Sequence, residues 1–75
     1  MFNMLDLNEI KKKKIIEFLN KEQIKWFTLN QISKEIGIHI YKAEVLLNKL
    51  FYEEKVENKA MGNFTFWRIK SKWEK

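Results

Sequence analysis

Apolar positions recur at helical spacing in three stretches of the chain and alternate in a fourth. In the first, about Asn8–Gln23, Ile15, Phe18 and Leu19 form a stripe with Ile16 at its margin. Lys12, Lys13, Glu17, Asn20 and Lys21 fall on the other side, which predicts an amphipathic helix. Asp6 or Asn8 supplies a cap, and Glu9 suits the positive end of the helix dipole. Ile24–Phe27 is apolar but only four residues long, at most a short strand. Thr28-Leu29-Asn30-Gln31 is a T-x-x-Q capping box. Leu29, Ile32 and Ile36 follow at i, i+3 and i+7, and Gly37 offers a left-handed stop, so a second helix spans about Leu29–Ile36.

His39 stands where the next cap belongs. A third helix, about Ile40–Glu54, buries Ala43, Leu46, Leu47 and Leu50. Its opposite face carries Tyr41, Val45, Asn48 and Tyr52, flanked by Lys42 and Lys49. The tail then changes period from helical to alternating. Gly62-Asn63 fits a two-residue type II′ turn with glycine first, which pairs Met61 with Phe64, Lys59 with Phe66, Glu57 with Arg68 and Val56 with Ile69. Opposite charges at Glu57 and Arg68 support that register. Val56, Asn58, Ala60, Thr65, Trp67 and Ile69 then share the core face, and Met61, Phe64 and Phe66 line the other.

Composition narrows the function classes. Seventy-five residues allow one small domain and leave no room for a deep cleft between subdomains. We expect a single unit over 1–75 with its core at about 8–70, and tails at 1–7 and 71–75. A net charge of +5 favours polyanionic partners. The absence of cysteine removes disulfides, zinc ribbons and thiol catalysis. His39 is the one histidine and has no acidic partner at ligand or catalytic spacing. There is no glycine-rich phosphate loop, and Glu53 and Glu54 are adjacent on a helix, so they point about 100° apart and cannot flank one atom. No enzyme, metal site, cofactor or small-molecule ligand is expected. The longest apolar run is three residues and the leading segment is too short for a signal, so an intracellular protein without a membrane span is expected.

Helix, short strand, capped helix, tight turn, helix and hairpin is an α+β order that resembles the winged helix-turn-helix superfamily. The residues carrying the resemblance are Thr28 through Ile38, Ala43, the Leu46-Leu47-x-x-Leu50 spacing, Val56, and Phe66-Trp67-Arg68-Ile69. It covers roughly 8–70. One departure is that Tyr52, Glu53, Glu54 and Lys55 lack the glycine that often ends the third helix. Winged helices that bind left-handed duplexes resemble one another in an Asn and a Tyr on that helix and in prolines before the wing tryptophan. Here Glu44 and Asn48 stand in the corresponding places and the chain has no proline, so that subgroup's set is missing.

The resemblance implies nucleic-acid binding, with the third helix in the major groove and the wing on the backbone or minor groove. Carried onto this chain, it makes His39, Tyr41, Lys42, Val45 and Asn48 the base-reading candidates. Lys34 and Lys49 would sit near phosphates, with Lys59, Gly62 and Asn63 at the wing. Asn48 suits adenine and Lys42 suits guanine or a phosphate, while both are also ordinary solvated side chains. Tyr41, Val45 and Tyr52, with Met61, Phe64 and Phe66, equally form protein-binding strips. Lys11–Lys14 wind around a helix in four directions and read as a solvated face. Trp26 and Trp73 read as part-buried supports, with Trp73 alternatively at a dimer contact; Phe2, Met4 and Leu5 offer a further dimer surface.

Two functions follow as expectations. The first is a duplex DNA-binding regulator or chromatin-associated factor, nucleoid-associated, acting as a homodimer or in a larger complex. The second is a winged-helix interaction subunit of a replication or transcription assembly.

Overall fold

The computed structural model describes residues 7–70; the expectations for Phe2, Met4, Leu5 and Trp73 lie outside the described residues. Its elements run α1 (Leu7–Asn20), β1 (Phe27–Thr28), α2 (Leu29–Ile36), α3 (Ile40–Tyr52), β2 (Val56–Met61) and β3 (Phe64–Ile69). The strands form one antiparallel sheet in the order β1-β3-β2. Ile15 and Leu19 of α1, Ile32 of α2, Leu46, Leu47 and Leu50 of α3, and Phe27, Val56 and Trp67 of the sheet bury one another in a single core.

Local chemistry accounts for the boundaries. The Thr28 hydroxyl accepts from the Gln31 amide at 3.1 Å and the Gln31 side chain accepts from the Thr28 amide at 2.8 Å, so the capping box is closed in both directions. Gly37 ends α2 at φ +80°, with its own amide and that of Ile38 both donating to the Ser33 carbonyl. His39 caps α3, its Nδ1 accepting from the Tyr41 amide at 3.2 Å.

The hairpin has the expected register throughout, from Val56 opposite Ile69 to Met61 opposite Phe64. Gly62 has φ +62° and Asn63 does not share the positive sign, as a turn with glycine first requires. The Glu57–Arg68 pair closes at 2.6 Å.

Four details differ from the sequence reading. α1 stops at Asn20 instead of Gln23, because Lys21 and Glu22 donate to carbonyls three residues back and tighten the last turn. α3 ends at Tyr52, two residues early, and the missing glycine is replaced by Glu54 at φ +62°. The Lys55 amide donates to Leu50 O and the Glu54 amide to Phe51 O, which is a Schellman ending with a glutamate in the left-handed place. The strand before α2 is Phe27–Thr28, paired with Trp67 and Phe66, while Ile24 is 84% exposed. That same pairing places Phe66 in the central strand between Thr28 and Lys59 and leaves it half-buried, whereas Met61 and Phe64 are exposed.

The lysine run is not uniform either. Lys12 Nζ reaches Glu53 Oε2 at 2.7 Å and Glu9 at 3.5 Å. The hydrogen bond to Glu53 raises the Lys12 ammonium above the usual lysine range and, from the other side, lowers the Glu53 carboxyl below the usual carboxylate range.

Candidate nucleic-acid interface

α3 presents three surfaces to solvent. Turning at about 100° per residue, its outward centre carries Tyr41, Val45 and Tyr52, which are 72%, 49% and 82% exposed. One flank carries Lys42 and Lys49, and the other, toward the hairpin, carries Ile40, Glu44 and Asn48. Neither Lys42 nor Lys49 is held in an ion pair among the described residues. His39, besides capping the helix, stacks on Tyr41 with ring centroids 5.1 Å apart. Lys34 lies in the last turn of α2 and is exposed.

Between α3 and the hairpin lies a cleft of about 620 Å³. Ile40, Glu44 and Asn48 form one wall; Asn58, Ala60, Thr65 and Trp67 form the other. Asn63 and Phe64 of the turn and Thr28, Leu29 and Asn30 at the start of α2 complete it. Trp67 retains only 3% of its exposure, yet its indole Nε1 has no hydrogen-bond partner. No lysine or arginine borders the cleft among the described residues, and Glu44 is its one charge.

The structure therefore divides the expected site residues. Tyr41, Lys42, Val45, Asn48 and Lys49 share the exposed part of α3, with His39 at its start. Asn48 and Asn63 both line the cleft, and Gly62 sits at the hairpin tip. Lys59 faces away from this assembly: its Nζ lies 4.4 Å from the Trp26 ring centroid, on the outer side of the sheet, where the Arg68 guanidinium carbon lies 4.3 Å from the same ring. The half-buried Trp26 is thus a support, and Lys59 is one of the two cations that cover it.

Sequence reading did not anticipate that Asn30, Asn58, Thr65 and Trp67 line one cleft with Asn48 and Asn63. The alternation of the hairpin assigned Asn58 and Thr65 to the core face, and that was the available signal. A second groove, about 1060 Å³, runs between α1 and the end of α3, past Ile10, Ile16, Leu50 and Ile69. It is larger, but its polar groups are already paired with one another in part, Lys12 with Glu9 and Glu53 and Gln23 with Asn20. Among the described residues no group of His, Asp and Glu side chains could hold a metal ion, and no helix is long and apolar enough to cross a membrane.

The fold is a winged helix-turn-helix. Among solved structures it is similar to the Zalpha domain of PKZ from Carassius auratus in complex with Z-DNA, with a TM-score of 0.74 and 23% identity over 85% of this chain and 98% of that one. A possible transcriptional regulator from Methanosarcina mazei gives a TM-score of 0.75 at 15% identity, over 81% of this chain and 55% of that one. Dissimilatory sulfite reductase D gives 0.71 at 21% identity, over 89% of both chains. No protein-family model matches the chain, and no curated protein matches it by sequence. At these identities the likeness is one of fold.

Proposed function

We propose that this protein binds duplex DNA through α3, as a small transcriptional regulator or chromatin-associated factor. The observation that carries the reading is the exposed surface of α3: Tyr41, Val45 and Tyr52 are presented outward, with Asn48 on the flank toward the hairpin and unpaired lysines along the other. A helix of this kind fits a major groove, where lysines meet phosphates and the outward residues meet base edges and thymine methyls. Two neighbours support it, one being a Z-DNA complex and the other a possible transcriptional regulator. Lys34, Lys42 and Lys49 supply the phosphate contacts, and Gly62 and Asn63 bring the hairpin tip to the backbone. A single copy makes few such contacts, so a homodimer or a larger complex provides the rest, with the nucleoid as its place of action.

The test is an amide-shift titration of the labelled protein with an AT-rich duplex at low and moderate salt. Salt-sensitive shifts across His39–Lys49 support the reading. A folded spectrum that stays still at low salt overturns it.

A second reading rests on the exposure of Tyr41, Val45 and Tyr52, an aromatic strip that also suits a protein partner in a replication or transcription assembly. Charge reversal at Lys42 and Lys49 abolishes binding under the first reading and matters little under the second. Tyr41→Ala with Val45→Ala does most harm under the second.

A further inference from the structure

The cleft between α3 and the hairpin has a chemistry that phosphate contacts do not use. We propose that it is a binding site for a single unstacked nucleobase held by its hydrogen-bonding edge, adenine or cytosine in preference to thymine. The proposal rests on the nucleic-acid reading above and names the part of the nucleic acid that this cleft takes.

Charge is the first argument. A phosphodiester entering the cleft would meet the Glu44 carboxylate with no cation to offset it, since Lys42 and Lys49 lie on the opposite flank of α3. Desolvating an unpaired anion next to another anion is unfavourable, so phosphates stay outside, toward the lysines. What enters is uncharged.

Polarity is the second. Asn30, Asn48, Asn58 and Asn63 converge on the cleft from four different elements, with Thr28 and Thr65 beside them. Leu29, Ile40, Ala60, Phe64 and Trp67 give the same cleft an apolar floor, so it suits a flat body with a polar edge, whereas a wholly apolar occupant would leave the amides and hydroxyls unpaired. Trp67 lies beneath these groups, with its indole Nε1 buried and without an acceptor. That nitrogen is itself shut off from solvent, so it serves as a reporter beneath the cleft, while the ring adds an apolar face to its floor. The occupant therefore carries both donors and acceptors on a compact, flat body, which describes a base edge.

The preference follows from Glu44. A carboxylate accepts from the exocyclic amine of cytosine or adenine, and an asparagine amide pairs with adenine in bidentate fashion. At the position where those bases offer the amine, thymine offers a carbonyl oxygen, and on that edge it would face the carboxylate unfavourably. Bases in a duplex lie stacked between two backbones and cannot reach between the two walls. An unpaired base, in a single strand or an opened duplex, can.

The experiment uses the full chain, labelled for NMR, with single-stranded hexanucleotides of adenine, cytosine or thymine, and with a duplex as a separate arm. The expected result is movement of the Trp67 indole N–H and of the Asn48 and Asn58 side-chain amides with adenine or cytosine strands. Thymine should bind roughly tenfold more weakly, and Glu44→Gln should remove most of that difference. Shifts at Lys42–Lys49 with duplex, while the cleft stays silent with every single strand, overturn this proposal and leave the DNA reading standing. Silence with both duplex and single strands overturns both. Cleft shifts with N-acetylglycine methylamide but with no strand overturn it in favour of a peptide partner.

Discussion

Lys12 Nζ lies 2.7 Å from Glu53 Oε2, a charge contact across 41 positions that ties the first helix to the end of the third. Its pH dependence has a definite sign. Glu53 is lowered, so its contribution is present above the ordinary carboxylate range and is lost as pH falls through its lowered value. Lys12 is raised, so its contribution is present below the ordinary lysine range and is lost as pH rises through its raised value. With Glu53 41% exposed at its side chain, screening keeps the effect small. Glu53→Gln should cost about 0.5 kcal/mol near neutral pH and less at high salt. Urea unfolding of both proteins at several pH values checks this: the gap should close in acid, and an unchanged gap there would refute the assignment.

Glu54 holds a left-handed conformation at φ +62° that glycine adopts without strain. Glu54→Gly should therefore stabilise the protein by about 0.5–1 kcal/mol, since the L-residue penalty of roughly 1–2 kcal/mol is relieved against some added chain entropy. A rise in the denaturation midpoint with unchanged slope is the expected signature.

Gly37 is the mirror case. A Cβ there meets nothing within 4 Å, so the cost of Gly37→Ala is backbone strain alone. About 1 kcal/mol of destabilisation is expected. Thermal unfolding would show it, and a neutral result would mean that the end of α2 relaxes.

Lys59 and Arg68 cover Trp26, and Arg68 also holds Glu57 at 2.6 Å. Arg68→Lys keeps the charge but loses the planar stack, and should cost about 1 kcal/mol. Lys59→Ala should lower stability slightly yet leave the salt dependence of DNA binding where it was. A clear loss of slope would show that Lys59 leaves the ring to meet a phosphate.

Neutralising Lys42 and Lys49 together, as Lys42→Gln with Lys49→Gln, should do the opposite. Each lysine that neutralises a phosphate contributes roughly one to the slope of log affinity against log salt. The double variant should reduce that slope by about two without changing the thermal midpoint, as fluorescence anisotropy at several salt concentrations would read.

Much of the fold was legible because its signals are local. Thr28 and Gln31 sit three residues apart, Gly37 and Gly62 mark the turns, and Glu57 and Arg68 report the hairpin register across one short loop. The exposed face of α3 was legible from period alone. The cleft was not, because Asn30, Asn48, Asn58 and Asn63 come from separate elements and converge only through the packing of the hairpin against α3. Lys12 was hidden for a related reason: in a run of four lysines nothing local singles out the one that faces Glu53. The place of Lys59 was not legible either, since nothing near the hairpin tip shows that Trp26 is brought beneath it.

β3 is both the central strand and the last element among the described residues, so each of the other strands waits for it. Phe27 and Val56 find their partners only when residues 64–69 arrive, and Trp67 seals the core from that strand. The hairpin pairing is local, but Phe27 and Trp67 stand forty positions apart, and sequence-distant pairing of that kind delays the rewarding contacts until late in folding. For a chain emerging from a ribosome, the three helices are on offer long before the sheet exists, and the hairpin that forms one wall of the cleft is the step that commits the whole molecule.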